Sequence, residues 1–588
     1  TFSSVEKQFL PDGKQFRMIS GEMHFARIPQ EYWRDRLRMA RAMGLNTIAT
    51  YIFWNYHETE PGKFNFRGNA DVARFVKTAQ EEGLWVIVRP SPYACAEWEF
   101  GGYPWWLQKE KELKVRSKDP RFLEMSRKYF DQLGKQLSPL QITRGGNIIM
   151  VQLENEYGSY DKDKEYLALN KEIIRKSGFD VALYTCDGPT QMPNGYLPGL
   201  LPAVNGLDDV EAVKELINKH HDGRGPYFIA EWYPAWFDSW GLEHHVVPAS
   251  EYVGKLDTIL ANGFSINMYM VHGGTTRGFM NGANMSARDP YAPQTSSYDY
   301  DAPINEAGNA TPKFFAFREI IKKHLPPGVV LPDVPQEKKS ISIPAIKLGE
   351  SASLLENLPE PVMSDRPLTF EDLGQGYGYV LYRATVRGPA KGTLNIQHVR
   401  DYAVVLVNGK RVARLDRRLK QDSVDIELPE GNVTLDLFLE NGGRINYGPY
   451  LNDNKKGITE RVTLGGKEIS GFKMYRFPCD DLSSVKFREG DARGVPVLRR
   501  GSFVLREVAD TYLDMSQWGK GSAWVNGHSL GRYWNIGPQQ TLYIPAPWLK
   551  KGKNEVMVLE LLESSQEETK GLETPILNQL MVRKAESK

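Results

Sequence analysis

The 588-residue chain sets 74 Lys and Arg against 73 Asp and Glu, a formal charge of +1, which predicts neither nucleic-acid binding nor adhesion to acidic membranes. Hydrophobic content of 41% and charged content of 25% are ordinary for a water-soluble globular protein, and no apolar run approaches the ~20 residues of a membrane span. One hydrophobic core does not serve this length, so two to four domains are expected.

The chain opens at Thr1 with neither Met nor the apolar stretch of a signal peptide, which points to the trimmed mature form of a secreted, periplasmic or lysosomal-type protein. From Phe16 onward, buried strands alternate with amphipathic helices. The patterning predicts strands over Phe16–Phe25, Thr47–Trp54, Trp85–Ser91, Asn147–Glu156, Val181–Asp187, Leu201–Asp208, Tyr227–Trp232 and Ser265–His272. The first helix follows Pro29, puts Trp33, Leu37 and Ala40 on one face and stops at Gly44. The second groups Val72, Phe75, Val76 and Ala79 and stops at Gly83. Eight such units over about 325 residues predict an α/β protein whose first domain, residues 1–330, is a (β/α)8 TIM barrel.

After Leu325-Pro326-Pro327-Gly328 the texture changes. Pro332, Pro335 and Pro344 mark a linker, and short alternating strands follow, such as Tyr379–Val386, Gly392–Gln397 and Val404–Leu406. A weak repeat relates Val404–Lys410 to Ser522–His528, each with an Asn-Gly hairpin signal and each followed by an alternating strand, Val433–Leu439 and Val556–Leu561. Two all-β sandwiches are expected, 331–480 including the linker and 481–588, with first strands that can be contributed out of sequence order. Asn284-Met285-Ser286, Asn309-Ala310-Thr311 and Asn432-Val433-Thr434 fit the glycosylation acceptor pattern. Cys95, Cys186 and Cys479 are too few and too scattered for a disulfide framework or a zinc site.

Two strand ends carry the chemistry. The apolar run Ile148–Leu153 ends in Glu154-Asn155-Glu156-Tyr157, and Phe228-Ile229-Ala230 ends in Glu231-Trp232-Tyr233-Pro234-Ala235-Trp236. In a parallel α/β barrel the C-terminal strand ends form the open, catalytic face. Two carboxylates there, among flat rings on which a sugar can stack, suit glycosidic bond cleavage: one protonates the leaving oxygen and the other acts at the anomeric carbon. Residues two apart on a strand share a face, so Glu154 and Glu156 compete for the first role. The strand is ending, and the residue nearer the mouth, Glu156, is expected to be the acid/base, with Glu154 supporting it from inside the barrel. Asn155 is a neutral donor suited to a sugar 2-OH. Around Glu231, the aromatic shell of Trp232, Tyr233 and Trp236 is expected to leave little room for water, favouring carboxyl groups ~5–5.5 Å apart over the ~6.5–9.5 Å of an inverting pair. Polar, aromatic and glycine-rich ends at Thr50–Glu58, Arg89–Gly102, Asn267–Thr275 and Ser296–Pro303 converge on the same rim.

These segments, with Ser20–Phe25, Val151–Tyr160 and Ile229–Gly241, resemble glycoside hydrolase family 35, the lysosomal-type β-galactosidases of the (β/α)8 retaining clan, in order and spacing over the whole first domain. The resemblance implies a retaining exo-β-galactosidase that releases terminal non-reducing β-D-galactosyl residues by double displacement, with Glu156 as acid/base and Glu231 as nucleophile. It also implies a galactose pocket made of Tyr51, Ala96, Glu97, Asn155, Tyr269 and Tyr300, with Trp236 beside the nucleophile. The β-rich tail is similar to the family's jelly-roll, galactose-binding-like domains. No cofactor and no metal is implied, the partner is a β-galactoside oligosaccharide or glycoconjugate, and a homo-oligomer is compatible with it. The loop Arg277–Pro293 is where the pattern departs, and it bears on preference beyond the terminal sugar.

Three other readings compete. An exo-β-glucosaminidase of the same family keeps the chemistry and changes the sugar. A catalytically silent glycan-binding protein suits the sandwiches but gives no physical reason to keep both carboxylates. A metal-dependent hydrolase would need a His-x-His pair or a carboxylate–histidine cluster. Strand 1 offers only Glu22 and His24, and the adjacent pairs His220-His221 and His244-His245 diverge on either regular secondary structure.

Overall fold

The computed structural model describes residues 2–5, 8–11, 16–223, 225–490, 492, 494–562 and 565–581. All eight expected barrel strands are present, each inside its expected range: β1 (Ile19–Glu22), β2 (Thr47–Tyr51), β3 (Trp85–Ser91), β4 (Ile148–Leu153), β5 (Ala182–Asp187), β6 (Leu201–Asn205), β7 (Phe228–Trp232) and β8 (Ser265–Met268). They pair in parallel in chain order, and Ile266 of β8 opposite Ile19 of β1 closes the ring. Ala49, Ile87, Ile149, Tyr184, Ala203 and Ala230 fill the interior. Phe9 packs edge-on against Phe228 at 6.4 Å, plugging the end of the barrel where the strands start.

The helices follow the expected capping chemistry. Helix α1 (Trp33–Met43) buries Trp33, Leu37 and Ala40 and ends at Gly44 with φ 109°, a left-handed turn that glycine adopts without a Cβ penalty. Helix α2 (Val72–Glu81) starts where the Asp71 carboxylate accepts the Arg74 N–H at 2.9 Å, satisfying one of the first-turn donors.

Beyond the barrel the chain is all β. The long strand Tyr379–Arg400 pairs with Ser423–Glu440 along most of its length, and with Phe472–Phe477 and Gly457–Leu464 on its two halves. The last part contains two sheets, and strands Ile343–Lys347 and Glu350–Ser353 join them by pairing with Glu568–Leu572 and Val497–Leu505. The repeat has a structural counterpart. Asn408-Gly409 and Asn526-Gly527 both turn with positive φ, and each Asn side chain accepts a backbone N–H of the following alternating strand, Thr434 or Glu555, at 2.9 Å. Of the three acceptor asparagines, Asn284 and Asn309 use their side chains in hydrogen bonds, whereas Asn432 is exposed on a strand. Among the described residues, no helix is long and apolar enough to cross a membrane.

Candidate active site

The strand ends bring Glu156 and Glu231 to one mouth. Glu231 lies on β7, only 5% exposed, among three donors. Tyr51 from β2 donates to Oε1 at 3.1 Å, the Arg89 guanidinium from β3 contacts the same oxygen, and Tyr233 donates to Oε2 at 2.6 Å. Both oxygens are oriented from three directions. Burial, then the neighbouring Glu231, holds the Tyr233 phenol well above its ordinary range, so it stays a donor.

Glu156 follows β4 in a left-handed conformation (φ 45°) and caps the short 3-10 turn Tyr157–Ser159. It is partly open at the mouth, and Asn205 of β6 donates to its Oε1 at 3.2 Å. Burial first, and the charge of Glu231 second, push its carboxyl up to about 7, against the opposing pull of Asn205, Arg89 and Arg116. Glu154 points elsewhere. Arg116 grips both its oxygens (3.2 and 2.8 Å), Tyr166 donates at 2.9 Å, and it is 1% exposed. Its own φ of 57° explains why Glu154 and Glu156 do not share a face: the chain has left the strand before the alternation can apply.

The loop after β3 runs through three consecutive left-handed residues, Cys95 (φ 66°), Ala96 (φ 54°) and Glu97 (φ 50°), a local strain typical of functional loops. Tyr298 donates to Glu97, and the Tyr269 hydroxyl lies 3.2 Å from that of Tyr298. Burial raises the Glu97 carboxyl to about 7, Tyr298 and Arg27 lower it, and Glu231 raises it. Tyr300 packs 5.6 Å from Tyr269 and 6.3 Å from Trp236, which is 40% exposed and stands at the rim beside Tyr233. Asn155 uses one Nδ2 hydrogen on the Ala94 carbonyl at 3.0 Å, and its Oδ1 accepts from Gln152 at 3.0 Å.

Several contributors went unassigned at the sequence level. Arg89 is the largest. It sits fully buried at the end of an apolar strand, pairs with Glu22 at 2.9 Å as well as with Glu231, and its cation outweighs the cost of burial through Glu22, Tyr51 and Glu231. A lone Arg after Val86-Ile87-Val88 was the available signal, since a buried cation demands carboxylate partners. His24 is driven down to about 4, chiefly by burial, and is therefore neutral. Its Nδ1 accepts from Arg27 (2.5 Å) while Nε2 donates to Glu22 (3.1 Å), and Arg27 in turn donates to the Ala96 carbonyl at 2.6 Å. The strand Ile445–Tyr447 of the first sandwich pairs with Ala283–Asn284 and brings Tyr447 within electrostatic reach of Glu156. No local pattern announces this arm.

Two expectations need correction. Trp232 does not shield Glu231: its ring is 1% exposed and packs on Tyr252 (5.5 Å) and Phe317 (5.6 Å) in the helix layer, because successive strand residues face opposite sides. His244 and His245 do not diverge. They lie in a loop, where strand and helix periodicities do not apply, and both rings reach Asp238, at 2.6 and 3.3 Å. Among the described residues no group of three or more His, Cys, Asp or Glu is placed to hold a metal ion.

This constellation has counterparts in known proteins. The sequence profile of the Glycosyl hydrolases family 35 matches residues 8–324, that of the first all-beta domain of beta-galactosidase matches 367–478, and that of its galactose-binding domain matches 496–554. A beta-galactosidase of Xanthomonas manihotis is 47% identical over 92% of this chain and 91% of its own length. The human beta-galactosidase-1-like protein 2 is 38% identical (94% of this chain, 88% of its own), and the Bos taurus beta-galactosidase is 38% identical (94% and 89%). A barrel with two carboxylates at its open face, followed by the matching β domains, thus makes this chain a member of glycosyl hydrolases family 35.

Proposed function

We propose that the enzyme is a retaining exo-β-galactosidase, with Glu231 as nucleophile and Glu156 as acid/base. One observation carries this reading: at one barrel mouth, a carboxyl raised to about 7 in part by its neighbour's charge stands near a second carboxylate oriented by three donors. That asymmetry divides acid from nucleophile. Glu231 attacks the anomeric carbon as Glu156 gives its proton to the leaving oxygen, which forms an α-linked galactosyl–enzyme. Glu156, now a carboxylate, takes a proton from water, which opens that ester and releases galactose in the β form. Tyr51, Ala96, Glu97, Asn155, Tyr269 and Tyr300 enclose the sugar in this reading, and the exposed face of Trp236 receives it at the rim. The galactosidases among its relatives support the choice of sugar.

A 2-deoxy-2-fluorogalactoside with a good leaving group should trap the intermediate and leave its mass on the Glu231 peptide, with β-galactose as the first product of ordinary substrates by NMR. Label on another residue, or α-galactose first, overturns the mechanism. Nitrophenyl galactoside, glucoside and glucosaminide, compared side by side, decide the sugar. Faster turnover of the glucosaminide overturns the galactoside assignment.

A further inference from the structure

The loop from Ser296 to Pro303 supplies Tyr298 and Tyr300 to the site, yet its base is held from outside the barrel. The Ser296 hydroxyl accepts the backbone N–H of Arg532 at 2.8 Å and donates to the Arg532 carbonyl at 2.8 Å. The Ser297 N–H donates to Gln539 Oε1 at 2.9 Å. Gln539 is 3% exposed, and its Nε2 donates to the Thr541 carbonyl at 2.8 Å, which fixes which end of the amide meets the loop. Arg532 and Gln539 belong to the second sandwich. The contact is close enough to need glycine: at Gly531 (φ 113°) a Cβ would fall 2.7 Å from the Ser296 hydroxyl. On the barrel side, Ser297 Oγ donates to Glu306 at 2.7 Å and Thr275 donates to the other oxygen of Glu306 at 2.6 Å. The loop base is therefore clamped between barrel and sandwich, one residue before Tyr298, whose hydroxyl donates to Glu97.

From this geometry we infer that the second sandwich positions the sugar-binding loop, and that Gln539 and the Ser296–Arg532 clasp are positioning groups for sugar recognition. The inference rests on the function proposed above. A shift at Ser297 passes directly to Tyr298, and buried polar partners discriminate hydroxyl stereochemistry only while they are correctly placed.

The test compares full-length Gln539→Leu and Ser296→Ala with Ile346→Ala, a truncation in the core of the same sandwich away from the clamp. Each is measured for kcat/KM on nitrophenyl galactoside and glucoside, for Tm, and for amide hydrogen exchange over residues 296–303. Gln539→Leu and Ser296→Ala should lower the galactoside-to-glucoside ratio about tenfold and speed loop exchange. Ile346→Ala should lower Tm while leaving the ratio and the loop exchange unchanged. An unchanged ratio or unchanged loop exchange in both clamp variants overturns the inference whatever happens to Tm. An unsubstituted enzyme that ignores the galactoside overturns the function reading instead, and the exchange data still decide whether the clamp exists.

Discussion

Glu156 carries two expectations that follow from its surroundings. In the acid role proposed for it Glu156 must hold a proton, and its carboxyl sits at about 7 through burial and then the charge of Glu231. The kcat/KM profile should therefore fall on the alkaline side with a limb near pH 7, about tenfold per unit beyond it. Glu156→Ala should slow galactosides with poor leaving groups by a factor of ~10²–10⁴ and spare the first step of dinitrophenyl galactoside, whose phenolate departs unprotonated. Equal losses on both substrates overturn the role. Stability has a sign as well. Glu156 and Glu97 both titrate near 7 when folded, above the 4.5 of an ordinary glutamate, so between those values the folded state holds protons that the unfolded chain releases. Their contribution is full below pH 4.5 and is lost as pH rises through 7, so Tm should decline from pH 5 to pH 8, and less steeply in Glu97→Gln. A flat profile that Glu97→Gln leaves unaltered contradicts the shifts.

The turn after β4 shows how an element aims a residue. Gly158 N–H donates to Asp187 of β5 at 3.0 Å, and a Cβ at Gly158 would lie 2.0 Å from the Gln191 carbonyl and 2.8 Å from the Gly195 nitrogen. Both obstacles are backbone, so Gly158→Ala must move the turn that carries Glu156. A loss of ~10²-fold in kcat/KM in a folded protein is expected, since a displacement of about 1 Å suffices for that. Unchanged kinetics with an unchanged circular dichroism spectrum dispose of the argument. At this scale the sequence was most informative where polarity interrupts an apolar strand. Glu156 and Glu231 announced themselves in that way, and the eight strands followed from the same alternation with helices. Arg89 obeyed the identical rule but named no partner, because its carboxylates, Glu22 and Glu231, come from other strands. Trp232 was misplaced because an aromatic run does not say which ring faces inward. Strands Ile343–Lys347 and Glu350–Ser353 pair with partners far along the chain, as Glu350 does with Arg500; this fits first strands contributed out of sequence order, though local patterning does not name the partners.

The three parts of the molecule share their interior. One apolar cluster takes Trp240 and Phe279 from barrel loops, Tyr379, Leu381 and Phe438 from the first sandwich, and Trp524, Trp534 and Leu559 from the second. Buried charges cross the same boundaries. Arg444 of the first sandwich pairs with Glu99 of the barrel at 2.6 Å and with Glu371 at 2.5 Å, while Glu440 takes Lys520 (2.6 Å) and Arg532 (3.0 Å) from the second. Leu451, from the arm that carries Tyr447, packs into the barrel's own core cluster. Cutting the chain after Leu325 removes every one of these partners at once. It exposes the apolar patch around Trp240 and Phe279 and takes from Glu99 its Arg444 partner. It also releases the Ser296–Pro303 loop from Arg532 and Gln539. Residues 1–325 alone should therefore run as aggregate on size exclusion, and any monomer recovered should lack galactosidase activity. The expected cause is separable from simple misfolding by Arg444→Met in the full chain, which leaves the apolar contacts in place and should lower Tm while the protein keeps the elution volume of the unsubstituted enzyme. A soluble fragment with full activity would show that the barrel completes its site alone and that the shared core is dispensable.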